Sequence, residues 1–187
     1  MGHPHLALIG RKRTGKDAVA ARLTARYFYT RVAFADPLKD MALQLDPVIT
    51  YEPAGYGPLP VRLSDVVRRL GWERAKDAFP EVRRTLQHLG EGVRQHSPDY
   101  WLDVALSKVD VADTWRLPVV VTDCRYPNEA VALKSRGFTL VRIIRPDTAD
   151  PSPQHESETA LDTFPADVTI ANLGTLADLN AQADSLI

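Results

Sequence analysis

The sequence predicts an α/β fold built on a parallel sheet. Five short runs rich in apolar or β-branched residues lie along the chain: His5–Ile9, Arg31–Ala35, Leu117–Thr122, Thr139–Ile144 and Asp167–Ala171. Segments with helical spacing separate these runs, which is typical of parallel strands joined by helical crossovers. The third and fourth runs are nearly continuous in apolar character, as strands covered on both faces should be. We therefore expect helices on both faces of one sheet.

A glycine-rich loop and a helix start follow the first run directly. Residues 10–17, which we call the phosphate loop, read Gly-Arg-Lys-Arg-Thr-Gly-Lys-Asp, and residues 18–23 continue as a good helix. The backbone N–H groups of such a loop can wrap a phosphate at a helix N-terminus, where the helix dipole also favours an anion. Lys16 would then reach the β- and γ-phosphates. The alternative interpretation is a chance Gly- and Lys-rich turn.

The loop departs from the usual P-loop pattern at its last residue. That pattern ends in Lys followed by Ser or Thr, whereas here Lys16 is followed by Asp17. The hydroxyl that normally touches Mg²⁺ is therefore replaced by a carboxylate. Because Mg²⁺ is a hard cation that keeps several waters, a carboxylate could hold it directly or through water. Asp17 is thus a candidate metal ligand.

Length and composition narrow the functional classes. The chain has 187 residues, enough for one domain with a sizeable core. Its net charge of −1 provides no general basic field for a nucleic-acid duplex, although a local basic cleft for a small phosphate compound is compatible with it. The single Cys124 excludes an intrachain disulfide and suits a reducing cytoplasm. No apolar run approaches ~18 residues, so no membrane span is expected. The chain enters a predicted strand at about His5, so no signal peptide is expected either. His3 and His5 are expected to be solvated end residues.

The stretch between the second and third strands, Asp36 to about Arg116, is expected to be a helical insertion with one break. Four prolines and two glycines within Asp46–Pro60 predict a loop there. Ser64 is a plausible N-cap for a helix that ends at Gly71.

Two more helices are expected in the insertion. Pro80 opens one with an apolar stripe at Val82, Leu86, Leu89 and Val93, and Ser97-Pro98-Asp99 opens the other. Trp101, near the start of the last helix, is expected in the core.

Charged or polar residues follow every predicted strand. In open parallel sheets, ligands bind beyond the carboxyl ends of the strands, so this coincidence indicates a site. After the phosphate loop, the segments concerned are Asp36-Pro37-Leu38-Lys39, Asp123–Glu129, Arg145-Pro146 with His155–Glu158, and Asn172–Thr175.

Asp123 closes an apolar strand, as the carboxylate of a Walker B motif does. Phosphoryl transfer needs Mg²⁺ between phosphate oxygens, and an acid at this strand end can organise the shell of the ion. The alternative is an N-cap for the helix that starts near Pro127, and both roles are compatible. Arg125 could meet developing phosphoryl charge. Its alternative is an i,i+4 pair with Glu129.

The helical insertion carries further candidates. On the helix 81–95, the residues Arg83, Gln87, Gly90 and Arg94 fall on one face. Two arginines and an amide there suit binding of a phosphate and a base edge; the alternative is a plain solvated face. Gly90 in mid-helix costs about 1 kcal/mol against alanine, and a close approach by a ligand or by backbone would explain it.

Other positions have two interpretations each. One interpretation of Arg68, Arg69 and Trp72 is a site that stacks a base and binds a phosphate. The alternative is that they simply lie at the end of a helix. Asp36 serves a second substrate with Lys39, or N-caps a helix that has Pro37 at its first position. Glu156 and Glu158 are lid contacts or loop structure.

Taken in order, these segments resemble the bacteriophage-type deoxynucleoside monophosphate kinases, a branch of the P-loop nucleoside monophosphate kinases. The resemblance covers nearly the whole chain, and the segments around Asp36 and Asp123 are its most specific parts. Asp17, unusual for P-loops at large, fits this family. Residues 46–60 and 147–154 match nothing in the pattern.

The resemblance implies that the γ-phosphoryl group of ATP is transferred, with Mg²⁺, to a deoxynucleoside 5′-monophosphate (dNMP). It also implies a three-layer P-loop kinase fold: a five-stranded parallel sheet of order 2-3-1-4-5, with helices on both faces and a helical acceptor-binding insertion. In this reading the single domain 1–187 has a core at 1–45 and 112–187, an acceptor lobe at about 46–111 and a lid at about 145–160. A homodimer through the helical lobe and a cytoplasmic location, the host cytoplasm if phage-encoded, are further expectations. No nucleic-acid polymer or membrane is expected as partner.

The family's site residues carry over to this chain by position. The ATP-binding group is Gly10, Arg11, Arg13, Thr14, Gly15, Lys16, Asp17, Ala18, Arg145, Asn172, Gly174 and Thr175, the last three beside adenine. The acceptor-binding group is Asp36, Lys39, Arg68, Trp72, Gln87, Gly90, Arg94, Arg125 and Glu156. The catalytic group is Lys16, Asp36, Asp123 and Arg125, and the metal ligands are Asp17 and Asp123. The alternatives are another small-molecule P-loop kinase, acting on a coenzyme precursor or a sugar, and an ATP-binding switch module.

Overall fold

The computed structural model describes residues 2–146 and 159–187. Its elements in chain order are β1 (Leu6–Ile9), α1 (Lys16–Tyr27), β2 (Thr30–Val32), α2 (Ala35–Leu45), β3 (Val48–Glu52), β4 (Leu59–Arg62), α3 (Leu63–Ala78), α4 (Pro80–His96), α5 (Tyr100–Thr114), β5 (Val119–Val121), α6 (Pro127–Ser135), β6 (Thr139–Ile144), β7 (Val168–Ala171) and α7 (Leu176–Asp184).

The chain divides into two compact units. One comprises residues 1–34 and 102–187, and the other comprises residues 35–101. We call them the sheet unit and the helical unit. The functional division into a core, an acceptor lobe and a lid remains a prediction, and most of the predicted lid lies outside the described residues.

The sheet unit contains the predicted parallel sheet. Its strand order is β2-β5-β1-β6-β7, and every neighbouring pair is parallel. With the five sheet strands numbered alone, this is the predicted order 2-3-1-4-5. The strand β1 is central, so the loop that follows it leaves from the middle of the sheet.

Helices cover both faces of the sheet, as predicted. Alternate residues of β1 serve the two faces, because side chains along a strand alternate with a period of two. Leu6 and Leu8 pack in one core with residues of α1 and α7, and Ala7 and Ile9 pack in the other with residues of α5 and α6. All four are at most 1% exposed.

The helical unit holds a feature that the sequence did not predict. The loop expected at Asp46–Pro60 is wrong, because β3 and β4 pair there as an antiparallel hairpin. β-Branched residues dominate the start of β3, and Ile49 and Val61 are buried against the helices of the unit. Pro60 fits because each strand of a two-stranded sheet has an outer edge where a missing N–H breaks no ladder.

The start of α3 also differs from the prediction. Ser64 is not its N-cap, because the helix begins at Leu63 and Arg62 occupies the cap position. The Asp46 carboxylate instead accepts hydrogen bonds from the Ser64 backbone N–H (2.8 Å) and hydroxyl (3.1 Å). Gly71 interrupts the helix as predicted, with φ of 71°, but the chain resumes helical geometry after this kink.

The next two helices confirm the sequence prediction. The helix α4 begins at Pro80, and α5 begins just after Ser97-Pro98-Asp99. Trp101 is in the core at 2% exposure, and its indole N–H donates to the Gly90 carbonyl oxygen at 3.2 Å. Among the helices of residues 2–146 and 159–187, none is long and apolar enough to cross a bilayer.

His5 is not a solvated end residue. Its Nδ1 accepts a hydrogen bond from the Val119 N–H (2.9 Å), and its Nε2 lies 3.0 Å from an Asp113 carboxylate oxygen. Its ring also stacks on Phe138. The side chain therefore ties the region before β1 to the start of β5.

Candidate active site

The phosphate loop has a backbone that requires glycine at two positions. Gly10 and Gly15 have φ of 135° and 110°, in a region that L side chains rarely adopt. A Cβ on Gly10 would lie 2.3 Å from the carbonyl oxygen of Ile143 in β6. A Cβ on Gly15 would lie 2.8 Å from the Asn172 amide nitrogen. Both glycines therefore let the loop lie against neighbouring strands.

The Lys16 side chain lies across the loop. Its ammonium nitrogen is 2.6 Å from the carbonyl oxygens of both Gly10 and Arg11, and the residue is 8% exposed. The Thr14 hydroxyl donates to the same Arg11 oxygen at 2.9 Å. The two bonds of Lys16 hold its positive charge against the loop backbone, where a phosphate bound by the loop would need a cation.

The helix α1 begins at the end of this loop. Gly15 is its N-cap residue, and exposed Asp17 lies in its first turn, as does half-exposed Ala18. The first N–H groups of a helix have no intrahelical acceptor, so they are available to an anion. An acidic residue in a first turn also complements the helix dipole, so Asp17 has a structural role beside the predicted metal role.

Asp123 lies just beyond β5. One of its carboxylate oxygens accepts the Phe34 N–H at 2.8 Å, which joins the ends of β5 and β2. The predicted alternative, that Asp123 is the N-cap of the helix that starts near Pro127, is wrong. Tyr126 is the N-cap residue of α6, and the carboxylate that accepts the N–H of this cap residue belongs to Glu129.

Glu129 orders the backbone that carries Arg125. It is 3% exposed, and one carboxylate oxygen accepts the N–H groups of Arg125 (2.8 Å) and Tyr126 (3.1 Å). An i,i+4 pair of Arg125 with Glu129 was the alternative predicted from the sequence, and the structure shows a contact between these residues through the Arg125 backbone N–H. Sequence reasoning missed this role, although an acid at the third helical position after an N-terminal proline is its usual signal.

Cys124 lies between the two acids in sequence and is buried. Burial, and then the nearby charges of Glu129 and Asp123, raise the pKa of its thiol far above the ordinary value. The thiol therefore stays neutral and acts as a small core residue.

The segment after β7 packs against the phosphate loop. The Asn172 side-chain amide donates to the Thr14 carbonyl oxygen at 2.9 Å. Thr175 N-caps α7 in a capping box with Asp178. A Cβ on Gly174 would lie 2.5 Å from an Asp178 carboxylate oxygen, so a larger residue there would require the Asp178 side chain to move. Arg11 pairs with Asp162, and Arg145 is exposed at the end of β6.

Three acceptor candidates of the helical unit lie close together. The Lys39 ammonium nitrogen is 3.6 Å from an Asp36 carboxylate oxygen and 5.9 Å from the centre of the Trp72 ring. All three side chains are partly exposed. The helix α2 begins at Ala35, so Asp36 lies inside its first turn and is not the N-cap. A cation held between a carboxylate and an indole face suits an anionic ligand with a stacking ring.

The remaining acceptor candidates have local structural partners or positions. Arg68 pairs with Asp65, and Arg83 pairs with Asp77. Gln87 is exposed and Arg94 is half-exposed. Gly90 is buried, and a Cβ on it would lie 3.4 Å from Leu38 of α2. That distance is at the short end of ordinary van der Waals contact, so Leu38 does not by itself require glycine here, and the role of Gly90 toward the acceptor remains a prediction. Glu156 lies outside the described residues.

Asp17 and Asp123 are the two candidate metal ligands. Within the described part of the chain, no group of three or more His, Cys, Asp or Glu side chains could hold an ion by itself. Mg²⁺ in phosphoryl-transfer sites is usually bound by one or two carboxylates together with the substrate phosphates, and not by protein groups alone. Two candidate carboxylates, those of Asp17 and Asp123, are therefore compatible with Mg²⁺.

Comparison with known proteins identifies relatives. The sequence model of the family described as deoxynucleotide monophosphate kinase matches residues 65–183. The deoxynucleotide monophosphate kinase of Escherichia phage RB69 is 28% identical over 109 residues, which are 57% of this chain and 44% of that protein.

Two further viral proteins are similar. A protein of Acanthamoeba polyphaga mimivirus, named provisionally as a deoxynucleotide monophosphate kinase, is 26% identical over 195 residues, covering 97% of this chain and 95% of its own length. The uncharacterised ORF77 protein of Ictalurid herpesvirus 1 is 36% identical over 102 residues, or 52% of this chain and 44% of that protein. The matches thus span less than half of the phage and herpesvirus proteins and nearly all of the mimivirus protein.

Proposed function

This chain belongs to the deoxynucleotide monophosphate kinase family, and we propose that it transfers the γ-phosphoryl group of ATP to a deoxynucleoside 5′-monophosphate. The products are ADP and the deoxynucleoside diphosphate. The observation that carries the proposal is the phosphate loop, in which the Lys16 ammonium is held 2.6 Å from two loop carbonyl oxygens beside the start of α1.

The donor is bound by the sheet unit in this proposal. The amides of the loop and the first turn of α1 bind the β- and γ-phosphates of ATP, and Lys16 neutralises their charge. Arg11, Arg13 and Arg145 add cations around the triphosphate. The segment Asn172–Thr175 lies at the end of β7 beside this loop, and its residues Gly174 and Thr175 border the nucleoside.

The acceptor is bound by the helical unit. Lys39 supplies a cation for the acceptor phosphate, and Asp36 orients both Lys39 and the acceptor. The Trp72 ring offers a face for stacking. Arg68, Gln87 and Arg94 complete the acceptor contacts.

The phosphoryl transfer itself asks little covalent chemistry of the protein. When bound, Mg²⁺ would neutralise charge on the donor phosphates, and Asp17 and Asp123 are the residues that would hold it. Lys16 and Arg125 stabilise the charge that develops on the transferred group. In-line transfer requires the donor and acceptor phosphates to be aligned and water to be excluded, since ATP would otherwise be hydrolysed.

The cellular compartment and the oligomeric state are part of the same proposal. We propose the cytoplasm as the compartment, the host cytoplasm for a phage-encoded chain, because ATP and dNMPs are available there. A homodimer through the helical unit is the proposed assembly. Size-exclusion chromatography with light scattering checks it, and a monomeric mass at assay concentration would contradict it.

A coupled assay of ADP release tests the activity. The purified chain is incubated with ATP and Mg²⁺ and with each deoxynucleoside and ribonucleoside monophosphate in turn. We expect ADP release that depends on at least one deoxynucleoside monophosphate, and little release without an acceptor. ATP binding without any acceptor-dependent release would indicate a switch module instead. Release with only a sugar or coenzyme precursor would indicate another small-molecule kinase.

A further inference from the structure

We propose that Asn172 is a positioning residue that orients the Thr14–Gly15 peptide of the phosphate loop and does not read the base of the nucleotide. The inference deepens the proposed function, on which it rests, because it concerns the same triphosphate-binding loop. It replaces the expectation that the Asn172 side chain borders adenine.

The contact is specific in its chemistry. The Asn172 Nδ2 group donates to the Thr14 carbonyl oxygen at 2.9 Å, across 158 positions of sequence. A carbonyl oxygen only accepts hydrogen bonds, so it is the NH₂ side of the amide that faces the loop. Thr14 is 3% exposed, and a buried carbonyl needs such a partner.

The consequence for the loop follows from peptide geometry. A trans peptide directs its C=O and its N–H to opposite sides, and the described chain contains no cis peptide. Because the Thr14 carbonyl points at Asn172, the Gly15 N–H points away from it. Gly15 immediately precedes the first turn of α1, where the helix start favours an anion. Fixing the carbonyl therefore fixes the direction of an N–H beside the phosphate position.

Asn172 is itself held by the sheet. Its backbone N–H donates to the Ile144 carbonyl oxygen at 2.8 Å, which continues the pairing of β7 with β6. The Gln182 amide of α7 donates to the carbonyl oxygen of the preceding residue, Ala171, at 3.1 Å. The side chain that grips the loop thus projects from the fixed end of a strand, so the loop is set before a ligand arrives.

Gly15 makes the close contact possible. A Cβ at this position would lie 2.8 Å from Asn172 Nδ2 and 2.9 Å from the Leu179 side chain. The backbone of the loop therefore lies directly against the asparagine amide.

Binding of a ligand that has no base distinguishes orientation of the loop from recognition of the base. Inorganic tripolyphosphate with Mg²⁺ has a phosphate chain and no base, so its affinity reports the loop alone. We expect Asn172→Ala to weaken tripolyphosphate and ATP binding by the same factor, about tenfold for one lost hydrogen bond, measured by calorimetry. The ratio of ATP to GTP affinity should stay constant. Unchanged tripolyphosphate affinity with an altered ATP to GTP ratio would overturn the proposal.

Two more variants guard against a general loss of structure. Asn172→Asp keeps the shape of the side chain but replaces the donor with an acceptor, so it should weaken tripolyphosphate at least as much as the alanine variant. Gln182→Ala removes a side-chain hydrogen bond to Ala171 at the same strand end and leaves the Asn172–Thr14 contact in place, so it should weaken tripolyphosphate binding much less than Asn172→Ala does. Equal weakening in the glutamine variant would mean that loosening of the strand end explains the effect, and the proposal would fail.

The outcome is separable from that of the kinase assay. If the wild type binds tripolyphosphate and the asparagine variants lose it, the positioning role stands even where no dNMP gives ADP release. If the wild type binds neither tripolyphosphate nor ATP, the inference and the proposed function fall together.

Discussion

The Asp123 carboxylate accepts a hydrogen bond from the Phe34 backbone N–H at 2.8 Å. Asp123 lies two residues after the end of β5, and Phe34 lies two residues after the end of β2, so this bond joins the ends of the two strands. One oxygen thus has a structural task at the carboxyl ends of neighbouring strands. The charge of the group is what the proposed metal role needs, and the two roles can be separated by substitution.

Asp123→Asn should separate structure from chemistry. The asparagine oxygen can still accept the Phe34 N–H, so the melting temperature should change by only a few degrees. The loss of negative charge should lower kcat by about 100-fold or more, as loss of a group that stabilises transferring charge does. Asp123→Ala, the matched variant, should lose both activity and stability. Wild-type turnover in the asparagine variant would remove Asp123 from the phosphoryl-transfer machinery.

Lys16→Ala tests the phosphate loop directly. Removing the ammonium should lower kcat/KM by roughly 1,000-fold, because the charge on the donor phosphates is then uncompensated. The chain should remain folded, with a free energy of unfolding within about 2 kcal/mol of the wild type, since two hydrogen bonds to loop carbonyls are lost. Lys108→Ala, at an exposed position of α5, is the control and should keep full activity. Turnover in Lys16→Ala that matches this control would contradict the phosphate role.

Asp17→Ser tests the unusual end of the loop. The substitution restores the hydroxyl that most P-loops carry, so we expect activity to survive and the Mg²⁺ dependence to change. Turnover is measured while Mg²⁺ is titrated at fixed ATP. Asp103→Ser is matched to it, because Asp103 is also an acidic residue in the first turn of a helix, and it should leave the titration unaltered. A superimposable Mg²⁺ curve for Asp17→Ser would exclude Asp17 from the metal shell.

Asp167 should contribute a pH-dependent part of the stability. The hydrogen bond from Lys134, and then the one from the Leu140 N–H, hold the pKa of Asp167 below its usual 3.8. A lowered folded-state pKa stabilises the fold above the ordinary pKa, and this stabilisation is lost as pH falls through the lowered value. Asp167→Asn should therefore cost about 0.5–1 kcal/mol near neutrality, where the exposed ion pair is screened by solvent.

The pH profile of that variant is the test. The difference in unfolding free energy between wild type and Asp167→Asn, from urea titrations, should be constant above about pH 5 and shrink below about pH 4. Asp40→Asn, at an exposed position of α2, is the matched control. A difference that grows toward acid pH would have the wrong sign and refute the assignment.

Much of the fold was readable from local pattern. The five sheet strands, the glycine-rich loop and the break at Gly71 depend on periodicity or turn chemistry within about ten residues. The order of the strands was implied by the resemblance to a family and not by these local patterns. The hairpin of β3 and β4 was missed because four prolines and two glycines conceal two short strands. Their pairing depends on the burial of Ile49 and Val61 against helices, which no local pattern reveals.

The candidate site divides in the same way. Lys16, Asp123 and Asp36 were predicted from their places after strands, and the structure puts each at such a strand end or in the helix turn that follows it. Their roles in binding and catalysis remain predictions. The partner of Asp123 could not be predicted, because the Phe34 amide lies 89 positions away in sequence. Glu129 was discoverable in principle from its position in the first turn of α6.

The amino-acid order alone indicated the five strands of the sheet, the main helices and the residues that can bind phosphate, because side-chain periodicity, glycine freedom and charge are properties of neighbouring residues. Only the tertiary structure decided which groups hold those residues in place. Asp46 accepts the Ser64 N–H at the start of α3, and Asn172 donates to the Thr14 carbonyl of the phosphate loop, through hydrogen bonds that span 18 and 158 positions. Such partners become adjacent only when the sheet and helices pack, so burial of the core chooses them.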